Sequence, residues 1–276
     1  MWLWLREATN VKKDIYYIWE KQALIREKDK IDALRKVLDA SDTKGIKNSY
    51  IDIYLKYYLR KYLDPQEKDI LLEVGCGIGR LTEYMSQFVH SAYGIDIVDI
   101  FIENCNANPQ KRKNTFYPPM GDTEKLKEIR INKMYIVWVL MYLLDNDEVI
   151  ATLRSYRDML PNLKAAIVIE QVKRDPQLDP ENKICCCRYR AIDEYVELFA
   201  AAGFRVKSYF VLGERYNGPI YKFIHVVSNF LPRALAKSTE TLFHIDKYLM
   251  GDNAKRNKLI NNKKPTDVLF YLETAD

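Results

Sequence analysis

The sequence lacks a hydrophobic run long enough to cross a bilayer. Its longest apolar stretch, MYIVWVLMYLL from Met134 to Leu144, is well short of the ~20 residues that a membrane-spanning helix needs. The opening MWLWLREATN reaches Arg6 and Glu7 before it can form the apolar segment of a signal peptide. We therefore expect a soluble, cytoplasmic protein, with a peripheral contact to a membrane surface left open.

The cysteine pattern of a disulfide framework or a zinc site is also lacking. The chain has five cysteines, an odd number that fits reduced thiols better than paired ones. Three of them are adjacent, at positions 185–187, and adjacent cysteines rarely turn their sulfurs toward one tetrahedral ion. No CxxC motif or nearby histidine completes a site, so we expect no bound metal.

Dense basic clusters and low-complexity tracts are absent as well. Hydrophobic residues make up 48% and charged residues 29% of the chain, which is a globular composition. The net charge of +5 falls within residues 1–63, and residues 217–265 hold nine Lys or Arg against three Asp or Glu. Since neither region has the concentrated basic patch of a nucleic-acid binder, we expect no nucleic-acid partner.

Apolar periodicity predicts two structural units. Residues 1–63 carry apolar side chains at helical spacing and are interpreted as a helical extension or lid. Residues 64–276 alternate strand and helix patterns, and the seven predicted strands are DILLEV, SAYGIDI, NTFYPPMGD, KMYIVWV, AAIVIEQ, RVKSYFVL and TDVLFYL. This alternation predicts an α/β fold with a doubly wound, mostly parallel sheet. A helical insertion, residues 217–264, separates the last two strands.

The stretch LLEVGCGIGRLTEYMSQ places three glycines at every second residue between a strand pattern and a helix pattern. Such a loop lets the backbone approach a ligand closely. Its GxGxG spacing differs from the GxGxxG of nicotinamide-binding loops, and Glu73 would repel a pyrophosphate. Asp96 ends the second strand and Asp122 follows the third. Together these residues predict a nucleoside pocket without a phosphate requirement.

Four segments resemble motifs of the class I S-adenosylmethionine-dependent methyltransferases: EVGCGIGRLT, GIDI, GDTEKL and WVLMYLLDNDEV. The resemblance implies the Rossmann-like methyltransferase fold with S-adenosyl-L-methionine as cofactor. It implies that the glycine loop passes under the methionine part, that the acid ending strand two binds the ribose hydroxyls, and that the acid after strand three meets the adenine amine. The cofactor-binding residues so implied are Glu73, Gly75, Cys76, Gly77, Gly79, Asp96, Ile97, Asp122, Thr123 and Trp138.

Methyl transfer from a sulfonium needs mainly alignment, because the leaving group is a neutral thioether. A hydroxyl acceptor also needs a base that removes its proton. The candidate catalytic residues are Tyr142, Glu170 and His225. Each has a structural interpretation too, as a pocket wall, a capping group and a core side chain, respectively.

Several acceptors compete. The C-terminal half, with RYRAIDEYVELFAAAGF, resembles methyltransferases of glycan and secondary-metabolite clusters, which implies transfer to a hydroxyl of a glycan or another small molecule. IVWVLMYLLD and GIGRLT also resemble protein N-terminal methyltransferases, but Glu170, Gln171 and Val172 replace that family's acidic and asparagine residues. A third interpretation is a non-catalytic, cofactor-binding scaffold for a partner subunit. The oligomeric state is not predicted.

Overall fold

The computed structural model describes residues 10–179, 186–251, 260 and 263–275. Within these ranges, no helix is both long and apolar enough to cross a membrane. Of the cysteine triplet, Cys185 lies outside the described residues.

Helices precede the sheet and then alternate with its strands. The α-helices are α1 Asn10–Ala23, α2 Lys30–Ala33, α3 Ile46–Leu63, α4 Arg80–Met85, α5 Asp99–Ala107, α6 Asn146–Met159, α7 Ile192–Ala201, α8 Glu214–Asn217, α9 Pro219–Val227 and α10 Thr239–Met250. Short 3₁₀ helices are Leu34–Lys36, Ser86–Phe88, Met120–Glu128, Leu140–Tyr142, Ser228–Phe230 and Arg233–Ser238. The strands are β1 Ile70–Val74, β2 Ser91–Ile95, β3 Thr115–Phe116, β4 Lys133–Val137, β5 Ala165–Val172, β6 Gln177–Asp179, β7 Cys187–Tyr189, β8 Phe204–Val211 and β9 Thr266–Thr274.

Seven strands form one sheet in the order β3-β2-β1-β4-β5-β9-β8. The pairs from β3 to β5 are parallel, whereas β9 runs antiparallel to both β5 and β8. The prediction of a mostly parallel, seven-stranded sheet is confirmed. The strand order reverses between β1 and β4, so the carboxyl ends of these strands border the crevice where such sheets bind ligands.

One strand prediction needs correction, and one hairpin is not predicted. The segment NTFYPPMGD forms only the two-residue strand Thr115–Phe116, because its two prolines lack the N–H groups that a longer ladder needs. The antiparallel hairpin of β6 and β7, with Gln177 opposite Tyr189, is not evident in the sequence pattern. Its strands are three residues each, too short for a clear alternation.

Apolar side chains cover both faces of the sheet. In β5, Ala166 and Val168 belong to the core that includes α6 and α7. The intervening Ile167 and Ile169 belong to a second core with α3, α9 and α10. Burial on both faces explains why the central strands have nearly continuous apolar sequences.

Helix α3 presents three tyrosines at four-residue spacing, and therefore on one face, to three buried carboxylates. We call these hydrogen bonds the tyrosine–carboxylate contacts: Tyr50 Oη to Asp246 Oδ2 at 2.7 Å, Tyr54 Oη to Asp267 Oδ2 at 3.0 Å, and Tyr58 Oη to Glu214 Oε1 at 2.6 Å. The carboxylates come from α10, β9 and α8. The contacts therefore hold β9 and the insertion against α3.

Asp246 also fixes the start of α9. Its carboxylate oxygens accept hydrogen bonds from the backbone N–H groups of Ile220 at 2.8 Å and Tyr221 at 2.7 Å, which are donors that the helix itself leaves unpaired. A Cβ at Gly218 would lie 2.5 Å from Asp246 Oδ2, so this close approach requires glycine. The described part of the insertion is consequently integral to the core.

Tyr50→Phe should lower the free energy of unfolding by about 1.5 to 3 kcal/mol, because it removes a hydrogen bond to a buried carboxylate. Tyr57→Phe is the matched control, since Tyr57 lies on the same helix and its hydroxyl makes no hydrogen bond within the described part of the chain. We expect the control to change stability by less than about 0.5 kcal/mol. Urea unfolding of both variants measures the difference, and equal losses would contradict a stabilising Tyr50–Asp246 contact.

Candidate functional site

A cavity of about 1050 Å³ opens above the carboxyl ends of β1, β2 and β4. Side chains from α1, the segment before α3, the glycine loop, the ends of β4 and β5, and α9 form its walls. Its volume slightly exceeds the range of about 300 to 1000 Å³ that is typical of small-molecule sites. One space thus extends from the glycine loop to the insertion.

The glycine loop needs glycine for both conformation and space. Gly75, Gly77 and Gly79 have φ values of 75°, 52° and 72°, in the left-handed region that other residues rarely adopt. A Cβ at Gly75 would lie 2.4 Å from Val139 Cγ2, and a Cβ at Gly79 would lie 2.4 Å from the Tyr117 hydroxyl. The loop can therefore pass closely between β4 and the cavity. Gly75, Cys76 and Gly77 line the cavity, whereas Gly79 packs behind the loop.

Asp96 joins the glycine loop to the end of β2 and lines the cavity. Its Oδ2 accepts from the Gly77 N–H at 2.8 Å and its Oδ1 accepts from the Val98 N–H at 3.0 Å. A carboxylate oxygen has about two acceptor sites, so each oxygen retains capacity for a ligand hydroxyl. Burial raises the pKa of Asp96 to about 6. The neighbouring Ile97 lines the cavity as well.

Glu73 is buried at the end of β1 and links the strand before the loop to the helix after it. Its Oε2 accepts from the Thr82 hydroxyl of α4 and from the Tyr135 hydroxyl of β4, the latter at 3.2 Å. Burial raises the pKa of Glu73 to about 7. The carboxyl also borders the cavity, beneath the turn that the glycines form.

The structure does not bring Asp122 to the cavity. This residue lies in the 3₁₀ helix Met120–Glu128, where its Oδ1 is 2.9 Å from Lys125 Nζ and its side chain is 43% exposed. The side chain of Thr123 lies outside the described residues. The contact between these residues and adenine stays a prediction.

Trp138 lines the cavity in an unusual backbone conformation. Its φ is 56°, a value that costs energy for a bulky residue and is common at ligand sites. Its indole N–H donates to Asp267 Oδ1 at 3.1 Å, and the Arg215 guanidinium lies 4.1 Å above the ring. Residues of β9 and α8 thus hold the indole at the insertion end of the cavity.

Of the three candidate bases, Tyr142 and His225 line the cavity and Glu170 does not. The Tyr142 ring meets Trp19 of α1 edge to face, with 5.6 Å between centroids. His225 is exposed on α9, and its ring lies 6.0 Å from that of Tyr221. The cavity therefore brings Tyr142 and His225 together with the glycine loop.

Glu170 instead anchors the loop that follows β4. It is fully buried, and its Oε1 accepts from the N–H groups of Val139 at 2.9 Å and Leu140 at 2.7 Å. Burial raises the pKa of Glu170 to about 8. On the other side of the loop, the buried Arg190 donates to the carbonyls of Leu140 at 3.1 Å and Leu143 at 2.6 Å. The side chains of Glu170 and Arg190 therefore fix this part of the cavity wall.

Helix α1 covers the part of the cavity next to β2. Tyr16 and Trp19 line the cavity and pack in one cluster with Ile97 and Phe101. Aromatic rings offer flat apolar faces on which a planar ligand group can stack. The helix thus forms a wall directly beside Asp96.

Several basic side chains at the cavity are missing from the sequence-based candidates. Three of them are paired with acids: Lys47 with Asp39, Arg80 with Asp52 at 2.7 Å, and Arg215 with Asp267 at 3.3 Å. Burial alone would raise the pKa of Asp39, but hydrogen bonds from Lys47 and Ser41 lower it to about 2. In each pair the acid and the basic residue lie on different elements or segments of the chain. The sequence therefore contains no local motif from which these ion pairs could be predicted.

Comparison with known proteins agrees with the geometry. A family model described as a methyltransferase domain matches residues 72–160, which extend from β1 into the end of α6. No curated protein matches the chain by sequence.

Solved structures share the fold. Geranyl diphosphate C-methyltransferase from Streptomyces coelicolor aligns with a TM-score of 0.60 at 13% identity, covering 97% of this chain and 99% of that one. An S-adenosylmethionine-dependent methyltransferase from Leishmania major gives 0.56 at 13% identity, with 99% and 89% covered. The [4+2]-cyclase SpnF gives 0.54 at 14% identity, with 81% and 80% covered.

The matched domain, the sheet order and the glycine loop are consistent with one another. The cavity also fits the cofactor of the class I methyltransferases that the sequence motifs resemble. The glycines place no side chain between the loop backbone and the cavity, and Asp96 can accept further hydrogen bonds. S-adenosylmethionine is that cofactor. Residues 72–160 are similar to a methyltransferase domain, and the fold that contains them is shared by S-adenosylmethionine-dependent methyltransferases of known structure.

Proposed function

We propose that this methyltransferase modifies a hydroxyl of a glycan or another small molecule at the insertion end of the cavity. One observation carries the proposal. The cavity that Gly75, Gly77 and Asp96 line at one end continues to Trp138 and His225 at the other. Its volume of about 1050 Å³ leaves space for an acceptor beside the cofactor.

The glycine-loop end is assigned to the cofactor, which supplies an activated methyl group when bound. Asp96 would accept hydrogen bonds from the ribose hydroxyls, and Ile97 and Phe101 would contact the adenine. Trp19 would close this end from the side of α1. Each of these side chains lines the described cavity.

The insertion end is assigned to the acceptor. Its walls include aromatic side chains from four elements, which suit the apolar face of a sugar or another ring: Trp138, Tyr142, Tyr189 and Tyr221. His225 is our choice for the base, because an imidazole most often removes protons in enzymes near neutral pH. Tyr142 then forms the wall beside it, and Glu170 positions the loop that carries Tyr142.

Asp96→Ala should weaken the binding of S-adenosylhomocysteine by about 1.5 to 3 kcal/mol, the magnitude for hydrogen bonds to a charged acceptor. Asp122→Ala tests the predicted adenine contact: its carboxylate pairs with Lys125 away from the cavity in the free protein, and an unchanged affinity would refute the contact. NADH should not bind. Isothermal titration calorimetry measures all three, and wild-type affinity in Asp96→Ala would overturn the ribose assignment. A loss in Asp122→Ala would establish the adenine contact instead.

Affinity for S-adenosylhomocysteine should rise as the pH increases through about 6. Asp96 has a raised pKa of about 6 in the free protein, and ribose hydroxyls would favour its charged form and lower that pKa. Protons therefore compete with the ligand below about pH 6. Calorimetry across this range tests the slope, which Asp96→Asn should remove. An unchanged slope in that variant would assign the titration to another group, such as Glu73 with its pKa of about 7.

Release of S-adenosylhomocysteine tests the proposed reaction directly. The fold also accommodates a cyclase, so the fold alone does not establish transfer to a given acceptor. Mass spectrometry should detect one S-adenosylhomocysteine per methylated hydroxyl in a panel of sugars and amphipathic alcohols. Methylation of peptide N-terminal amines alone would replace the hydroxyl assignment. Cofactor binding without release for any acceptor would favour a scaffold.

Substitution separates the base from the positioning residue. His225→Ala should lower kcat by about 10² to 10⁴, the usual contribution of a general base, and leave S-adenosylhomocysteine affinity unchanged. Glu170→Gln should retain most of kcat, because the amide oxygen still accepts from Val139 and Leu140, whereas Glu170→Ala should lose it. Activity in His225→Ala combined with none in Glu170→Gln would move the base to Glu170.

A further inference from the structure

The insertion exposes an unusual number of large apolar side chains. Of the twelve exposed large hydrophobic residues in the described part of the chain, seven lie between residues 223 and 249. Phe230 is 88% exposed and Tyr248 is 85% exposed. Contiguous apolar patches on a folded protein usually mark an interaction site.

Five of these seven side chains lie on the outward faces of α9 and α10, and Phe230 and Leu235 lie on the 3₁₀ helices between them. On α9, Tyr221 and Ile224 are buried, so Phe223 and Val226 fall on the opposite side of the helix. The same spacing holds on α10, where Phe243 and Asp246 are buried. The two helices pack against each other and against α3. We call the outward residues the insertion surface: Phe223, Val226, Phe230, Ile245, Tyr248 and Leu249.

The charged residues around the insertion surface are mostly basic. Lys222 and Lys237 are exposed and Lys247 is partly exposed, whereas Glu240 is the one exposed acid among residues 219–250. The other acid, Asp246, is buried beneath α9 by its contact with Tyr50. Exposed apolar side chains with lysines in the same segment are typical of helices that lie in the interfacial region of an anionic bilayer.

The insertion surface continues into the mouth of the cavity. Val226 is 74% exposed and also lines the cavity, as do its neighbours Lys222 and His225. A molecule held at the surface would therefore meet the cavity without leaving α9. The surface and the cavity share one helix.

We propose that the insertion surface docks this protein on anionic lipid membranes. Phe223, Phe230 and Tyr248 enter the headgroup and upper acyl region, and the lysines face lipid phosphates. Helices α9 and α10 lie on the bilayer and do not cross it. The proposal concerns membrane binding and holds whichever acceptor the cavity takes.

Charge favours a membrane over a second copy of the chain. A twofold dimer would place the same patch on both sides of its interface. Lys222 and Lys237 would then approach their own counterparts, with Glu240 as the one exposed acid of the segment to offset them. Like charges brought together in this way oppose association, whereas an anionic bilayer offers the complementary sign.

Vesicle co-sedimentation of the full chain tests the proposal. Binding should be at least tenfold stronger to phosphatidylcholine vesicles containing about 30% phosphatidylglycerol than to phosphatidylcholine alone, and it should weaken as salt screens the lysines. The double variant Phe230→Glu/Tyr248→Glu should lose at least tenfold. Tyr209→Glu, the same change at an exposed position on β8, should bind like the wild type.

Folding and oligomeric state are followed in the same samples. S-adenosylhomocysteine affinity should be equal in all variants, because the changed residues do not line the cavity, and light scattering should give the mass of a monomer without vesicles. Absence of binding to anionic vesicles by a wild type that binds S-adenosylhomocysteine would overturn the proposal. A wild-type dimer that becomes monomeric in Phe230→Glu/Tyr248→Glu would assign the surface to a second copy instead.

Discussion

Hydrogen bonds from the α3 tyrosines to buried carboxylates are the interaction on which the rest of the structure depends. A buried carboxylate is costly unless donors satisfy it, and here the donors come from a helix that precedes the sheet. Through Asp267 the contacts reach the Trp138 indole, and through Asp246 they reach the first turn of α9. The position of the wall at the insertion end of the cavity therefore depends on α3, although α3 contributes few residues to that wall itself.

The loop after β4 is constrained in a second, independent way. Glu170 accepts from its N–H groups and Arg190 donates to its carbonyls, so its backbone polar groups are paired although the loop is not part of the sheet. Rigid backbone at this point suits a reaction that depends on alignment more than on acid or base strength. In the proposed reaction, Glu170 and Arg190 would contribute only through the position of the loop.

The sequence predicts the sheet and the glycine loop because both rest on local signals. Strand periodicity, the GxGxG turn and an acid at the end of β2 are all visible within a few residues, and Gly75 and Asp96 lie at the cavity as expected. Contacts between distant residues leave no such signal. The pairing of Arg190 with the β4 loop spans about fifty residues of chain, and a strand-end acid such as Glu170 looks the same in sequence whether it faces the cavity or caps a backbone turn. Asp122 shows a further limit of local signals: it follows β3 as the sequence indicates, but its carboxylate pairs with Lys125, because a position after a strand does not fix where the side chain points.

The place of β9 in the sheet has a consequence for biosynthesis. The edge strand β8 pairs with β9 and with no other described strand, and about fifty residues of chain separate the two. During translation, β8 is therefore synthesised before its partner β9 and stays unpaired while the insertion is translated. Asp267 arrives with β9, so Tyr54 and Trp138 gain their shared acceptor only at that stage. The glycine-loop end of the cavity can form cotranslationally, whereas the opposite end is completed last.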